Sequence, residues 1–169
     1  MASAFLAYLG FGGPTTKTEA VPEPPRPEES GRPWAPHLRA AGEALSRGDA
    51  KGAVRALQAA DQCALACGQW EGMVEVGDAH LRVADASRAR KVLVSRAHQN
   101  YLSALYCARQ QHNLDGVLRT AAGFAALGDR ESVDQCLLIA EGMAETANDE
   151  AARGRVRRVT ARMTARHSA

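Results

Sequence analysis

Proline is absent from the whole stretch between His37 and Ala169. All seven prolines, Pro14, Pro22, Pro24, Pro25, Pro27, Pro33 and Pro36, lie ahead of it, so the strongest interruption of regular helices is missing from most of the chain. Aromatic residues are also scarce, at 5 % beside 46 % hydrophobic residues, in the range of an ordinary globular chain of about one domain. A dominant charge is lacking: 21 Lys and Arg face 19 Asp and Glu among 169 residues, a formal net charge of +2. That balance excludes the overall field of a general nucleic-acid binder. No apolar run approaches the roughly 20 residues a bilayer-spanning helix needs. There is no C-x-x-C and no H-x-x-x-H pair, so no metal and no other cofactor is expected.

What is present divides the chain into three. Residues 1–36 hold an apolar segment and a Pro-rich stretch, with Pro, Glu, Thr and Ser from Gly12 to Pro36 and few large apolar side chains. Such a stretch cannot offset its ordering entropy by burial and is expected to be a disordered linker. Ahead of it, Phe5, Leu6, Tyr8, Leu9 and Phe11 form the apolar patch, and the first basic residue is Lys17. A secretory signal or presequence would carry earlier positive charge. The patch reads as a frayed end packing loosely on the domain, with a short docking peptide as the sharper alternative. The last segment, 149–169, carries six Arg and Glu150 as its one acidic side chain after Asp149.

Between them, residues 37–148 are rich in Ala, Leu, Arg, Gln, Glu and Met, with no alternating β-branched run. These are helix formers. Brief breaks such as Arg47-Gly48-Asp49, Gln111-His112-Asn113 and Leu127-Gly128-Asp129 each join a helix-ending residue to an N-cap. They predict helices over roughly 36–47, 50–67, 70–84, 87–111, 114–127 and 130–147, with a seventh from about 149. Connections this short force neighbouring helices antiparallel.

The helices repeat as pairs. Arg39-Ala-Ala-Gly-Glu-Ala-Leu-Ser-Arg-Gly48-Asp49 is echoed by Arg119-Thr-Ala-Ala-Gly-Phe-Ala-Ala-Leu-Gly128-Asp129, followed by Leu57 and Ala60 or by Leu137 and Ala140. A third copy, Val76-Gly77-Asp78-Ala79-His80-Leu81 with Ala89 and Leu93, lies between. Small residues at Ala41, Gly77 and Ala121 permit close helix approach. One hairpin alone leaves an apolar face wet, so the copies must stack.

This pattern resembles the tetratricopeptide repeat (TPR) family over about residues 36–147, carried by Arg-Gly48-Asp49 with Ala53, Leu57 and Ala60, by Val76-Gly77 with Leu81 and Ala89, and by Ala-Leu-Gly128-Asp129 with Leu137 and Ala140. It departs from the family in having Leu38, Met73 and Val117 where a Trp is usual, in lacking the closing Pro, and in a long fourth helix. The resemblance implies an all-α fold of three antiparallel hairpins in a right-handed array. It also implies a concave groove, formed by the first helix of each pair, that binds a peptide or helix of another protein. Placed on this chain, the groove would comprise Leu38 and Leu45, then Glu71, Val74, Asp78, Leu81 and Arg82, then Leu118, Ala122, Ala125 and Ala126. An apolar strip with a central Asp78 and Arg82 pair suits a ligand with hydrophobic anchors and one or two charges. The basic ring that clamps a terminal carboxylate in some family members is not visible, so heat-shock-protein tails are not expected as ligands.

Catalysis finds little support. Cys63 and Cys67 stand one helical turn apart, but beside Ala60 and Ala64 they read as small core residues; the five histidines are scattered, and no phosphate-binding loop is present. The tail places Val156, Val159, Thr160 and Met163 on one side and Arg155, Arg158, Arg162 and Arg166 over the rest. A cap for the open end of the stack is the expected role, with contact to acidic protein, RNA or anionic lipid as the alternative. The expected function is a non-enzymatic adaptor or scaffold. Its alternative is an obligate subunit of a larger complex or a homo-oligomer. Four unclustered thiols point to a reducing, cytoplasmic setting.

Overall fold

A computed structural model describes residues 31–87 and 89–167. The patch from Phe5 to Phe11 and most of the Pro-rich linker lie outside the described residues. Seven helices follow one another: α1 Ala35–Ser46, α2 Ala50–Cys67, α3 Trp70–Asp85, α4 Arg90–Gln110, α5 Leu114–Leu127, α6 Arg130–Thr146 and α7 Glu150–His167. No strand occurs among the described residues. The predicted ends agree to within a residue or so except at α4, expected from residue 87. There the Ser87 hydroxyl accepts the Ala89 N–H at 3.2 Å, a local turn that delays the helix.

Four of the six connections use one device. A residue with positive φ, Gly48 (74°), His112 (49°), Gly128 (76°) or Asn148 (49°), ends a helix. The next residue, Asp49, Asn113, Asp129 or Asp149, sends its N–H back to the carbonyl of Ala44, Ala108, Phe124 or Ala144. Its own side chain then accepts an N–H from the new helix, Gly52, Gly116, Ser132 or Ala151. Both sets of orphan backbone groups are thus satisfied within a few residues. The Ser132 hydroxyl and N–H hold the Asp129 carboxyl below the usual carboxylate range, with His98 adding a smaller effect.

Each helix packs chiefly on its neighbours in sequence, and the odd-numbered helices also meet in order, α1 with α3, α3 with α5, α5 with α7. The core is built largely of alanine, among it Ala53, Ala60, Ala97, Ala104, Ala121 and Ala140, each fully buried. Larger side chains fill what remains, notably Leu57, Leu93, Tyr101 and Phe124.

Trp34 was expected in the linker. It is instead fully buried, its Nε1 donating to Glu75 Oε2 at 2.8 Å, so the folded unit begins before the expected boundary at residue 37. Its ring lies flat on α3, where a β-carbon at Gly72 would sit 2.8 Å from it. Trp70 repeats the arrangement on Gly116 of α5, where the corresponding distance is 2.9 Å. Gly72→Ala and Gly116→Ala are each expected to lower stability by about 1–3 kcal/mol through overpacking. Gly42→Ala meets open space on an exposed helical position and should raise it by about 0.5–1 kcal/mol. Denaturant unfolding of the three variants checks the order.

Candidate protein-binding surfaces

α3 is flanked by α1, α2, α4 and α5. Glu71, Glu75, Asp78, Arg82 and Asp85, at helical spacing, form the polar stripe that stays at least partly open to solvent, with Trp70 and Leu81 half-buried beside it. On this side the odd-numbered helices are tied by a ladder of ion pairs. Arg32, just before α1, meets Glu75 of α3. Arg119 of α5 meets Asp78 at 3.0 Å, and Arg155 of α7 meets Asp115 of α5 at 2.8 Å. Behind the middle rung stands Tyr101 of α4, its ring wedged between α3 and α5. A β-carbon at Gly77 or at Gly123 would lie 2.6 Å from that ring. The Tyr101 hydroxyl donates to Asp78 Oδ1 at 2.7 Å. Burial first, and the Asp78 carboxylate second, push its pKa well above the ordinary value.

The expected groove residues are therefore distributed differently from the expectation. Glu71, Arg82, Ala122 and Ala126 are exposed on the odd-helix wall. Leu38, Leu81, Leu118 and Ala125 are half-buried against the main core, and Leu45 against a smaller cluster around Leu57 and Leu93. Val74 is buried, 2 % exposed, because α3 is covered on more sides than one hairpin would cover it. It offers no surface to a ligand. Asp78 engages Tyr101 and Arg119, and no Asp78–Arg82 bridge occurs. The wall is charged with small alanines between, and the expected apolar strip is turned inward.

In α7, Ala152 and Val156 are buried and the helix packs on α6 and α5, as a cap must. Glu150 pairs with Arg157 and Arg153, whose hydrogen bonds hold its carboxyl below the usual range. Of the Arg residues expected to form a basic tail, Arg155 is engaged with Asp115, Arg158 and Arg162 are exposed, and the side chain of Arg166 lies outside the described residues.

The opposite side, formed by the even-numbered helices, has another character. Every large hydrophobic residue found exposed among the described residues sits there: Leu65 on α2, Val92, Leu102 and Tyr106 on α4, and Leu138 on α6, between 46 % and 71 % open. A crevice of about 410 Å³ runs between α2 and α4, bordered by Leu65, Leu102, Arg96 and Asn100 with Asp61 among its lining. Asp61 is itself buried. It accepts His80 Nε2 at 3.0 Å on both oxygens and Asn100 Nδ2 at 2.8 Å, with Arg96 at 4.0 Å. His80 Nδ1 is buried with no hydrogen-bond partner. The cluster ties α2, α3 and α4 together and sets their register. In the sequence His80 stands only as a member of the third repeat copy, and Asp61 and Asn100 are not singled out. Their signal was a polar residue on an apolar face, Asp61 beside Leu57, Ala60 and Ala64, and Asn100 between Ala97 and Ala104.

All four cysteines are free thiols, and among the described residues no three His, Cys, Asp or Glu side chains converge as a metal site. Burial pushes the Cys136 thiol up to about 12, whereas Cys67 is exposed. A thiol reagent at mildly alkaline pH should label Cys67 in the native protein and Cys136 only after denaturation, because the thiolate is the reacting form. Asp78→Arg leaves the Tyr101 hydroxyl unpaired and sets a cation beside Arg119. It should cost about 1–3 kcal/mol, read as a lowered melting temperature; unchanged melting would mean that Asp78 faces solvent. No protein-family model, curated protein or solved structure matches this chain.

Proposed function

We propose that this chain is a non-enzymatic interaction scaffold: three helical hairpins in a right-handed, tetratricopeptide-like array, closed by α7, that hold another polypeptide on their surface. The ordered contacts among α1, α3, α5 and α7 and the repeated helix-to-helix connector support the array. The buried stripe of α7 supports its role as the cap. No helix among the described residues is long and apolar enough to cross a membrane, and four free thiols suit a reducing compartment such as the cytoplasm.

One observation carries the reading: the large exposed apolar side chains gather on α2, α4 and α6. Scattered singly such residues mean little, but a cluster on one side rimmed by polar groups marks a protein-binding surface. The odd-helix wall is occupied by its own ion pairs, so the binding side is the even-numbered one. The single variants Leu102→Asp and Tyr106→Asp should each lose association with any polypeptide, a second copy included, while keeping the helical circular-dichroism signal. Arg82→Glu, on the odd-helix wall, should retain it. Loss confined to Arg82→Glu overturns the assignment of the side.

A further inference from the structure

Resting on that reading of the even-helix side, the charges on α4 and α6 identify what docks there. α4 contains Arg90, Lys91, Arg96 and Arg109 and no acidic residue. α6 contains Glu131, Asp134, Glu141 and Glu145 against the single cation Arg130. These four acids are exposed and make no ion pair among the described residues. Each helix also shows a solvent-facing stripe with alternating steps of three and four: Val92, Ser95, Gln99, Leu102 and Tyr106 on α4, and Asp134, Leu138 and Glu141 on α6. That spacing is the seam by which two helices lie side by side. On α4 the apolar Val92, Leu102 and Tyr106 stand among positive charges, and on α6 the single apolar Leu138 stands among negative ones.

We propose that the occupant is a second copy of this chain, with α4 of each protomer lying along α6 of the other in a closed two-fold dimer. Both stripes lie on the even-helix side. α5 reverses the chain between them, so α4 and α6 run in the same direction. A two-fold axis parallel to these helices and midway between them therefore sets each α4 over the partner's α6, parallel, and because His98 of α4 bonds Asp129 at the start of α6, residue 98 lies level with the start of the partner's α6. Tyr106 then comes about level with Leu138, Arg109 with Glu141, and Arg96 lies nearest Glu131. At 1.5 Å per residue, the part of α4 from His98 to Gln110 runs along about 20 Å of α6. The same patch serves on both protomers, as an isologous contact requires, and complementary charge fixes which helix meets which.

Sedimentation of the full chain at micromolar concentrations tests this. The wild type should dimerise, more weakly as salt is raised. Leu138→Asp should raise the dimer dissociation constant by at least about tenfold. The variants Arg109→Glu and Glu141→Lys should each be a folded monomer. Mixed in equal amounts they should pair, because both contacts of the mixed dimer then join opposite charges. A monomeric wild type, or a mixture that does not pair, overturns the proposal. If the wild type is monomeric yet Leu102→Asp still abolishes capture of a different protein, the occupant is wrong while the interaction side stands. If Leu102→Asp changes no association at all, the functional reading itself has failed.

Discussion

The distance between α3 and α5 is set by one ring. Tyr101 fills the gap from α4 and lies against Gly77 on one side and Gly123 on the other, with the edge of Phe124 5.7 Å away, centroid to centroid. No residue larger than glycine fits at either contact without displacing the ring. Because the same side chain ends in a hydroxyl bonded to Asp78, and Asp78 in turn holds Arg119, the apolar wedge and the polar ladder are one arrangement. On the far side of α3, His80 bonds Asp61, which also accepts from Asn100. α3 is thus fixed from two sides, by a wedge and by a buried polar tether. A buried hydrogen-bonded cluster of this kind disfavours shifted registers in which its groups would be left unpaired.

Around this centre the chain repeats itself. Trp34 lies on Gly72 and Trp70 on Gly116, while Leu114 and Ala152, at the corresponding places in α5 and α7, line a common crevice. An aromatic or leucine at the start of one odd-numbered helix thus finds a small residue near the start of the next. An alanine-rich interior suits such packing. Alanine loses no side-chain rotamer freedom on burial, and it lets helices approach closely enough for many weak dispersion contacts to add up.

Helix positions were legible in the sequence because each break carried its own chemistry, an αL residue followed by an Asp or Asn cap, in a stretch without proline. The pairing of helices was legible from the recurrence of small residues. Three things were not. Trp34 was masked by the prolines around it, since composition averages over a residue whose partner, Gly72, is far away in sequence. The Asp78–Arg82 spacing suggested a pair within one helix, whereas the actual partner, Arg119, is brought close only by the stack. Val92, Leu102 and Tyr106 look like core residues along the chain, and only the packing of α4 leaves them outside. Local signals fixed the elements, but which face of α3 or α4 meets solvent depends on how many neighbours surround the helix.

The joints between helices are largely self-contained. At four of six corners, the bonds that close the bend come from residues within a few positions of it, and Asp129 adds one from His98 of the preceding hairpin. Such an architecture can be lengthened by duplicating a unit, or trimmed by deleting one, without rebuilding a corner. The cost of either change falls on the faces between units, where the tryptophans, the ladder and the Tyr101 wedge reside.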